Sequence, residues 1–445
     1  MRTRLRIGSG AGFAGDRLDA AVVLAERGQL DYLAMECLGE RTVALAQLRK
    51  LRDPRAGYDP LLERRFRALL PLIKRNRFRL VTNMGGANPL AAAERVAAIA
   101  RELGVQLRVA AVTGDDVLDR IDHRQKAMET GRPLDSHGAL VAANAYLGVD
   151  SILPALRSGA EVIVTGRAAD PSLFLAPMVH ELGWSLDDWD RLARGTVAGH
   201  LLECAGQLTG GYFADPGRKD VPDMAKLGFP FADVTADGTA RFGKVAGTGG
   251  RIDRMTATEQ LLYEVTDPGA YVTPDVVADF STTALAETGP DAVTTSGARG
   301  RQRPEQLKVS VGYRAGYLGE GEIGYAGSNC VARAELAGAI LRERLANRFA
   351  ELRVDVIGMT ALHGPTLSKK ALAEGARPYE ARLRVAARAT DEAGALLVGE
   401  EVEALYTNGP AGGGGVRRSV AEQIGIVSCF VPRAQIRVAT KVIEA

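Results

Sequence analysis

Short apolar runs alternate with helical patterns along the first part of the chain. Leu5-Arg6-Ile7 precedes a glycine-rich turn, and apolar residues then recur at helical spacing between residues 18 and 25. Similar apolar runs, most of them followed by helical patterns, occupy residues 31–37, 79–83, 106–112 and 161–165. Repeated strand–helix–strand units predict an α/β domain with a mostly parallel, Rossmann-like three-layer sheet.

The pattern changes at about residue 291. Apolar alternation predicts strands near residues 307–313, 321–325, 352–357 and 381–389, with a helix at 331–348. We therefore expect an α/β domain at 1–290 and a smaller α+β domain at 291–445. A glycine-rich loop at 407–415 ends before Arg417 and Arg418, and is interpreted either as a mobile lid or as a solvent loop.

Composition excludes several classes of function. The net charge of +2 comes with scattered basic residues, which argues against a nucleic-acid partner. The 4 cysteines lack C-x-x-C spacing and suggest free thiols. The chain carries neither a signal-peptide pattern nor an apolar run of about 18 residues, so we expect a cytoplasmic protein without a membrane partner.

The segment 199–211 concentrates reactive side chains. His200, Glu203, Cys204 and Gln207 stand at helical spacing and should share one face of a helix that stops at Thr209-Gly210-Gly211. Such a face either lines a site or forms a satisfied polar core. His200 and Glu203 could also be two metal ligands, but the sequence shows no third, so no metal is predicted.

A glycine fingerprint follows the first strand. Gly10-x-Gly12-x-x-Gly15 matches the dinucleotide-binding pattern, and Glu36 lies near the distance expected for a ribose-binding acid. Asp16 opposes this interpretation because it places a carboxylate where a pyrophosphate would bind. Asp16 is a candidate ligand-binding residue, and capping of the helix is its alternative role.

Other strands also end in candidate binding corners. Asn83 ends the strand at 79–83, Gly85, Gly86 and Asn88 follow it, and Gly247-Thr248-Gly249 precedes a later helix. Backbone N–H groups at such corners suit an anion or a carbonyl oxygen, whereas Asn88 could instead cap a helix.

Arg167 and Asp170 follow the strand at 161–165. They are a candidate carboxylate clamp and a candidate base, or else an ion pair with each other. If the strands are parallel, the corners that follow them lie on one edge of the sheet, facing the 199–211 helix.

Several of these segments together resemble one family, the AtuA-type acyclic terpene utilisation proteins. The segments that carry the resemblance are 12–16, 83–89, 166–171, 199–204 with 209–211, and 247–250 with 258–264. They span most of the first 300 residues. The resemblance implies a context in the breakdown of acyclic terpenes and branched acyl-CoA compounds, without implying a particular reaction.

We therefore hypothesise an enzyme acting on a small carboxylate or its CoA thioester by proton abstraction next to a carbonyl, as in a lyase, hydratase or isomerase. Glu203 or Asp170 would be the base, His200 the acid and Cys204 either a nucleophile or a buried thiol. Glycine N–H groups at 85–86 or 210–211 would stabilise an oxyanion, and Arg167 would hold a carboxylate.

Two alternatives stand beside this hypothesis. One is a non-catalytic ligand-binding or scaffold subunit that assists acyl-CoA enzymes, and the other is an NAD(P)-dependent oxidoreductase. The sequence leaves the cofactor unknown, and homo-oligomer formation is left open.

Overall fold

The computed structural model describes residues 2–375 and 378–445. The strands are β1 (Arg4–Ala11), β2 (Tyr32–Met35), β3 (Arg79–Thr82), β4 (Arg108–Thr113), β5 (Leu140–Ala145), β6 (Val162–Thr165), β7 (Pro230–Thr235), β8 (Ala240–Lys244), β9 (Tyr271–Val272), β10 (Val277–Asp279), β11 (Ala284–Gly289), β12 (Ala292–Ser296), β13 (Arg299–Arg301), β14 (Gln306–Ala326), β15 (Glu351–Ile357), β16 (Glu380–Ala389), β17 (Gly414–Pro432) and β18 (Ala439–Glu444).

The helices connect these strands. They are α1 (Leu18–Arg27), α2 (Glu40–Arg52), α3 (Leu62–Asn76), α4 (Pro89–Glu102), α5 (Val149–Arg157), α6 (Ser172–Leu182), α7 (Trp189–Glu203), α8 (Arg254–Leu262), α9 (Cys330–Arg344), α10 (Gly364–Ala373), α11 (Glu392–Glu403) and α12 (Leu405–Asn408). Within the described residues, none of these helices combines the length and the apolar character needed to cross a membrane.

The largest sheet has the strand order β11-β12-β8-β7-β1-β2-β3-β6-β4-β18. Its central strands β1, β2, β3, β6 and β4 run parallel to one another. The flanking pairings are antiparallel, so the sheet is mixed rather than mostly parallel as expected. The hairpins β7–β8 and β11–β12 account for part of the difference, because short connections can join only antiparallel neighbours.

Helices cover both faces of this sheet. The path from β1 through β2 and β3 to β4 advances in one direction, and α1, α3 and α4 pack on one face. The step from β4 back to β6 reverses direction, and α5 lies with α6 and α7 on the other face. Right-handed crossovers produce this change of side. Alternate residues of β2 serve the two cores, Leu33 facing one and Tyr32 the other.

The chain divides into two compact units. The first comprises residues 1–136, 140–312 and 426–445, and the second comprises 137–139 and 313–425. Residues 291–312 and 426–445, expected in the second domain, group with the first unit. The reason is strand pairing, since β12 pairs with β8, β13 with β10 and β18 with β4. The two units are defined by contacts within the folded chain, so whether the chain folds as two domains divided at residue 290 stays a prediction.

The second unit contains an antiparallel sheet of β15, β16 and the later part of β14, with β17 next to β14. Apolar residues of α9 and α11, including Leu341 and Val398, pack with Leu383 and Val385 of β16. The strands predicted at 307–313 and 321–325 are both parts of β14. The loop predicted at 407–415 overlaps α12 at its start and β17 at its end.

Candidate functional site

A cavity of about 1160 Å³ lies in the first unit, beyond the carboxyl ends of β1, β2 and β6. The loops after these strands and the end of α7 contribute its walls, together with segments near residues 263–274 and 304–308. Parallel strands bring their carboxyl ends to one edge of the sheet, which is why residues far apart in sequence meet there. We call it the carboxylate cavity, after Glu36, Asp170 and Glu203 in its lining.

Glu36 follows β2 and is buried, with 8% of its surface exposed. Its Oε1 accepts hydrogen bonds from the backbone N–H of Leu38 at 2.7 Å and from Asn83 Nδ2 at 2.9 Å. Burial and then the charge of Asp170 raise the pKa of Glu36 to about 8, against the opposing effect of Arg167. Glu36 therefore holds a proton at neutral pH.

Glu203 and His200 pair near the end of α7. Glu203 Oε1 lies 2.8 Å from His200 Nδ1, as their spacing of three residues allows. Burial raises the pKa of Glu203 to about 7, opposed by His200 and supported by Asp170. The carboxyl group of Glu203 therefore changes charge near neutral pH.

His200 is 1% exposed and lies behind the cavity wall, packed against the rings of Tyr271 and Phe280. It contacts Glu203 rather than the cavity, so its geometry suits the positioning of Glu203. Within the described residues, no group of three or more His, Cys, Asp or Glu side chains is arranged to hold a metal ion.

The predicted helical face extends less far than expected. α7 ends at Glu203, Cys204 forms its cap, and Ala205 adopts a left-handed φ of 42°. Gln207 is therefore not on the same helical face, although it still lines the carboxylate cavity. The prediction that one helix carries all four side chains and stops at Thr209-Gly210-Gly211 is wrong in this respect.

Cys204 also lines the cavity and is only partly buried. Burial, followed by the neighbouring charge of Glu203, raises the pKa of its thiol above the ordinary value. A nucleophilic cysteine needs the opposite shift, because the thiolate is the reactive form. The environment therefore favours a neutral thiol in the cavity wall.

Arg167 and Asp170 form an ion pair in the cavity wall. Arg167 Nη2 lies 2.9 Å from Asp170 Oδ1, and the Arg167 side chain is 2% exposed. Arg167 also donates to the carbonyl oxygen of Leu38 and stacks over the ring of Tyr146 at 4.1 Å. Asp170 keeps 34% of its side chain exposed, because it faces the cavity. Burial raises the pKa of Asp170 even though Arg167 lowers it.

Glu40 is another acid of the cavity lining, and its pKa is shifted in the opposite direction. Glu40 Oε1 accepts a hydrogen bond from the hydroxyl group of Tyr146 and lies 3.4 Å from Lys308 Nζ. Burial alone would raise the pKa of Glu40, but Tyr146, Arg167 and Lys308 together bring it to about 2. Glu40 is therefore ionised throughout the physiological range. Sequence analysis missed Glu40, Tyr146 and Lys308.

The loop after β1 is held by its own acid. Asp16 Oδ2 accepts a hydrogen bond from the backbone N–H of Gly12 at 2.8 Å. Arg65 of α3 donates to the carbonyl oxygens of Ala14 and Asp16 at 3.0 and 3.1 Å. α1 begins after Arg17, so Asp16 closes the loop rather than capping the helix. Asp16 does line the carboxylate cavity.

The corner after β3 supports residues of the site but does not line the cavity. Asn83 is buried, and its Oδ1 accepts from the backbone N–H of Cys37 at 2.7 Å while its Nδ2 supports Glu36. Gly86 N–H donates to the carbonyl oxygen of Asn83, and a Cβ on Gly85 would lie 2.4 Å from the carbonyl oxygen of Thr165. Asn88 caps α4. These residues lie outside the cavity lining.

The glycine turns after α7 and β8 are likewise bonded within the chain. Gly210 N–H donates to the carbonyl oxygen of Gln207 and Gly211 N–H to that of Gly206. Gly211 lines the carboxylate cavity, whereas Gly210 and the buried Thr209 lie outside its lining.

The turn that contains Gly247, Thr248 and Gly249 lies elsewhere. Gly247 and Thr248 line a separate cavity of about 210 Å³, and Gly249 N–H donates to the carbonyl oxygen of Lys226. The structure therefore does not bring this turn together with the other predicted corners at the carboxylate cavity.

Large apolar side chains rim the carboxylate cavity. Phe13, Tyr212, Met224, Val272 and Phe430 all line it and are all exposed, Tyr212 at 83%. Large exposed apolar groups gathered around one cavity are typical of a binding surface for an apolar ligand. These residues are scattered along the sequence, so no local pattern could have grouped them.

The fold and the cavity define a mixed α/β protein. Its pocket lies at the carboxyl ends of the parallel strands, is rich in acids and has an apolar rim. The model of the acyclic terpene utilisation family protein AtuA matches residues 5–442. The chain belongs to this family, and the resemblance found in the sequence is confirmed. Comparison with curated proteins gives no significant match, and comparison with solved structures gives none either.

Proposed function

We propose that the carboxylate cavity is the active site of an enzyme that moves a proton next to the carbonyl group of a carboxylate or acyl-CoA in branched-acid catabolism. The reaction would be of the lyase, hydratase or isomerase type, without a cofactor. One observation carries the proposal: Glu36, Asp170 and Glu203 share a cavity, and the pKa of each is raised. Buried acids with raised pKa values beside charged partners are typical of functional sites.

The two glutamates suit complementary roles. Glu36, with a pKa of about 8, would donate a proton, and because its Oε1 accepts two hydrogen bonds, Oε2 is left to carry that proton. Glu203, with a pKa of about 7, would be the base, held in place by His200. General acid–base catalysis is most efficient when such pKa values lie near the working pH. His200 is a positioning residue in this scheme.

The lining supports an acyl substrate. The apolar rim of Phe13, Met224 and Phe430 would contact a hydrocarbon chain, while Arg17 and Lys308 would attract an anionic end group. The volume of about 1160 Å³ slightly exceeds the roughly 300–1000 Å³ of ordinary small-molecule pockets, which leaves room for a chain. Membership of the acyclic terpene utilisation family is consistent with a branched chain.

The test is hydrogen exchange at the carbon next to the carbonyl. The full chain would be incubated in D₂O with branched acyl-CoA thioesters and their free acids, and loss of the α-proton signal followed by NMR. We expect Glu203→Gln to slow exchange by at least about 100-fold, because a general base is worth roughly 10²–10⁴ in rate. Glu335→Gln, an exposed acid on α9, is the matched control. Failure of the wild-type protein to exchange any of these protons, or undiminished exchange by Glu203→Gln, would remove the proposal.

The second candidate function is ligand binding without catalysis, as a subunit that assists acyl-CoA enzymes. The hydrogen bonding of the glycine turns favours it, because Gly86, Gly210 and Gly211 donate their N–H groups within the chain and so are not available as oxyanion donors. Under this alternative, Glu203→Gln would bind acyl-CoA as well as the wild-type protein does, and neither would show exchange.

Dinucleotide binding has less support. The crossovers and the helices on both faces are compatible with a Rossmann-like arrangement of the parallel strands. However, Gly12 N–H already donates to Asp16, whose carboxylate occupies the position of a phosphate. We therefore expect no thermal shift with either nicotinamide dinucleotide.

A further inference from the structure

A second cavity, of about 350 Å³, lies in the first unit beside the first turn of α5. Asp150, Ser151, Arg433 and Thr440 line it, and we call it the Arg433 pocket. Leu307 lines both this pocket and the carboxylate cavity. The proposed active site uses none of the four polar residues, so their arrangement needs a separate explanation.

Two guanidinium groups share one carboxylate oxygen at the Arg433 pocket. Arg303 Nη1 lies 3.0 Å from Asp150 Oδ2, and Arg433 Nη1 lies 3.1 Å from the same atom. Both arginines are largely buried, with 29% and 21% of their side chains exposed. The two guanidinium groups therefore compete for one carboxylate oxygen, and buried charges need partners.

Arg433 has unused hydrogen-bonding capacity. Its Nη1 donates to Asp150 and its Nη2 donates to the carbonyl oxygen of Pro274, so Nε is the remaining nitrogen of the guanidinium group. Among the residues that the structure describes, the buried Nε atom has no hydrogen-bond partner. A buried N–H group without a partner is unfavourable, more so on a charged group, and an acceptor in the pocket would satisfy it.

A second acid, Asp275, contributes a negative charge near Arg433 but is hydrogen-bonded to other groups. Asp275 accepts hydrogen bonds from the backbone N–H of Val149 at 2.7 Å and from the hydroxyl group of Ser172 at 2.5 Å. Burial raises the pKa of Asp275 to about 6, which weakens it as a counter-ion below that pH. Burial, and then the charge of Arg303, lower the pKa of Arg433, with Asp150 acting in the opposite sense.

We propose that the Arg433 pocket binds a phosphate group, held by the guanidinium of Arg433. Arginine presents parallel N–H donors that match phosphate oxygens. Phosphate could reach the pocket as the free anion or as the phosphorylated end of a CoA compound. Arg433 donates to the carbonyl oxygen of Pro274, and Pro274 lines the carboxylate cavity. Phosphate bound to Arg433 would therefore also affect the position of that part of the cavity wall.

The test measures thermal stability and affinity of the full chain with inorganic phosphate, CoA and dephospho-CoA, which lacks the 3′-phosphate. We expect phosphate to raise the melting temperature of the wild-type protein. Arg433→Met keeps the apolar stem but removes the donors, and should weaken phosphate binding by at least about tenfold. Arg437→Met, at an exposed arginine four positions further along the chain, is the matched control.

The ligand arms separate the two sources of phosphate. A preference for CoA over dephospho-CoA that disappears in Arg433→Met would assign the pocket to the end of a CoA compound. Equal binding of both, with protection by inorganic phosphate, would assign it to the free anion. If neither phosphate nor CoA protects the wild-type protein, or if Arg437→Met loses protection equally, the proposal is overturned.

Two further variants keep the test interpretable. Arg433→Lys retains the charge and would serve if Arg433→Met does not fold, with binding expected to be weakened but not abolished. Glu203→Gln should keep its response to phosphate, so the outcome at the Arg433 pocket is distinguishable from that at the proposed active site.

Discussion

Replacement of Glu203 by glutamine should stabilise the protein at alkaline pH. The amide has nearly the same shape as the carboxyl group and can remain beside His200, whose Nδ1 lies 2.8 Å from Glu203 Oε1. What the substitution removes is the negative charge that burial, Asp170 and Glu264 make unfavourable. Glutamine therefore imitates the protonated form of Glu203 at every pH.

The magnitude follows from the pKa. Glu203 moves from an ordinary pKa of 4.5 in the unfolded chain to about 7 in the folded protein. At about 1.4 kcal/mol per pH unit, this corresponds to about 3 kcal/mol. Because the pKa of Glu203 is higher in the folded protein than in the unfolded chain, protonated Glu203 favours folding. Its contribution is fully present below pH 4.5 and is lost as the pH rises to about 7, because the unfolded chain releases the proton first.

The assay is urea unfolding at a series of pH values from about 5 to 8, with Glu335→Gln as the control. The free energy of unfolding of Glu203→Gln should exceed that of the wild-type protein by an amount that grows with pH and levels off at about 3 kcal/mol. Glu36 behaves alike in both proteins, so its effect cancels. A difference that does not change with pH, or a variant that loses relative stability as the pH rises, would refute the reasoning.

Two other substitutions test the walls of the carboxylate cavity. Gly12→Ala would place a Cβ 2.5 Å from the carbonyl carbon of Cys204 and should cost about 1–3 kcal/mol of stability in urea unfolding, whereas Gly414→Ala, which meets open space, should be nearly neutral. Tyr146→Phe removes the hydroxyl donor that helps to keep the pKa of Glu40 at about 2, and because the Glu40 side chain is 41% exposed and solvent screens it, the loss should be about 0.5–1.5 kcal/mol near neutral pH. Since the stabilisation from Glu40 is present above pH 4.5 and lost as the pH falls toward 2, the deficit should shrink on acidification; a deficit that grows there would contradict this assignment.

Sequence patterns predicted the features that depend on local spacing. The pairing of His200 with Glu203 follows from a helical separation of three residues, and the pairing of Arg167 with Asp170 was one of two stated alternatives. The shared edge of the parallel strands follows from repeated strand–helix–strand units. These predictions needed no knowledge of how distant segments meet.

The features that sequence reasoning missed depend on contacts between distant segments. Lys308 and Glu40 are 268 residues apart, and nothing local to either one indicates the pair. The sequence indicates Glu36 only as a ribose ligand, because its support from Asn83 comes from the end of the neighbouring strand. The early end of α7 depends on the left-handed backbone at Ala205. Alanine rarely adopts this conformation, so the sequence does not predict it.

The acids of the carboxylate cavity differ in partners rather than in burial alone. Glu40 has the hydroxyl group of Tyr146 and the charge of Lys308 beside it, and its pKa falls to about 2. Glu36 accepts only from neutral donors, and its pKa rises to about 8. The same cavity therefore holds a permanent anion and a neutral carboxylic acid at the same pH. Each raised pKa lowers stability above neutral pH, so Glu36 and Glu203 do not serve folding there, which is the pattern expected if they carry out the proposed proton transfer.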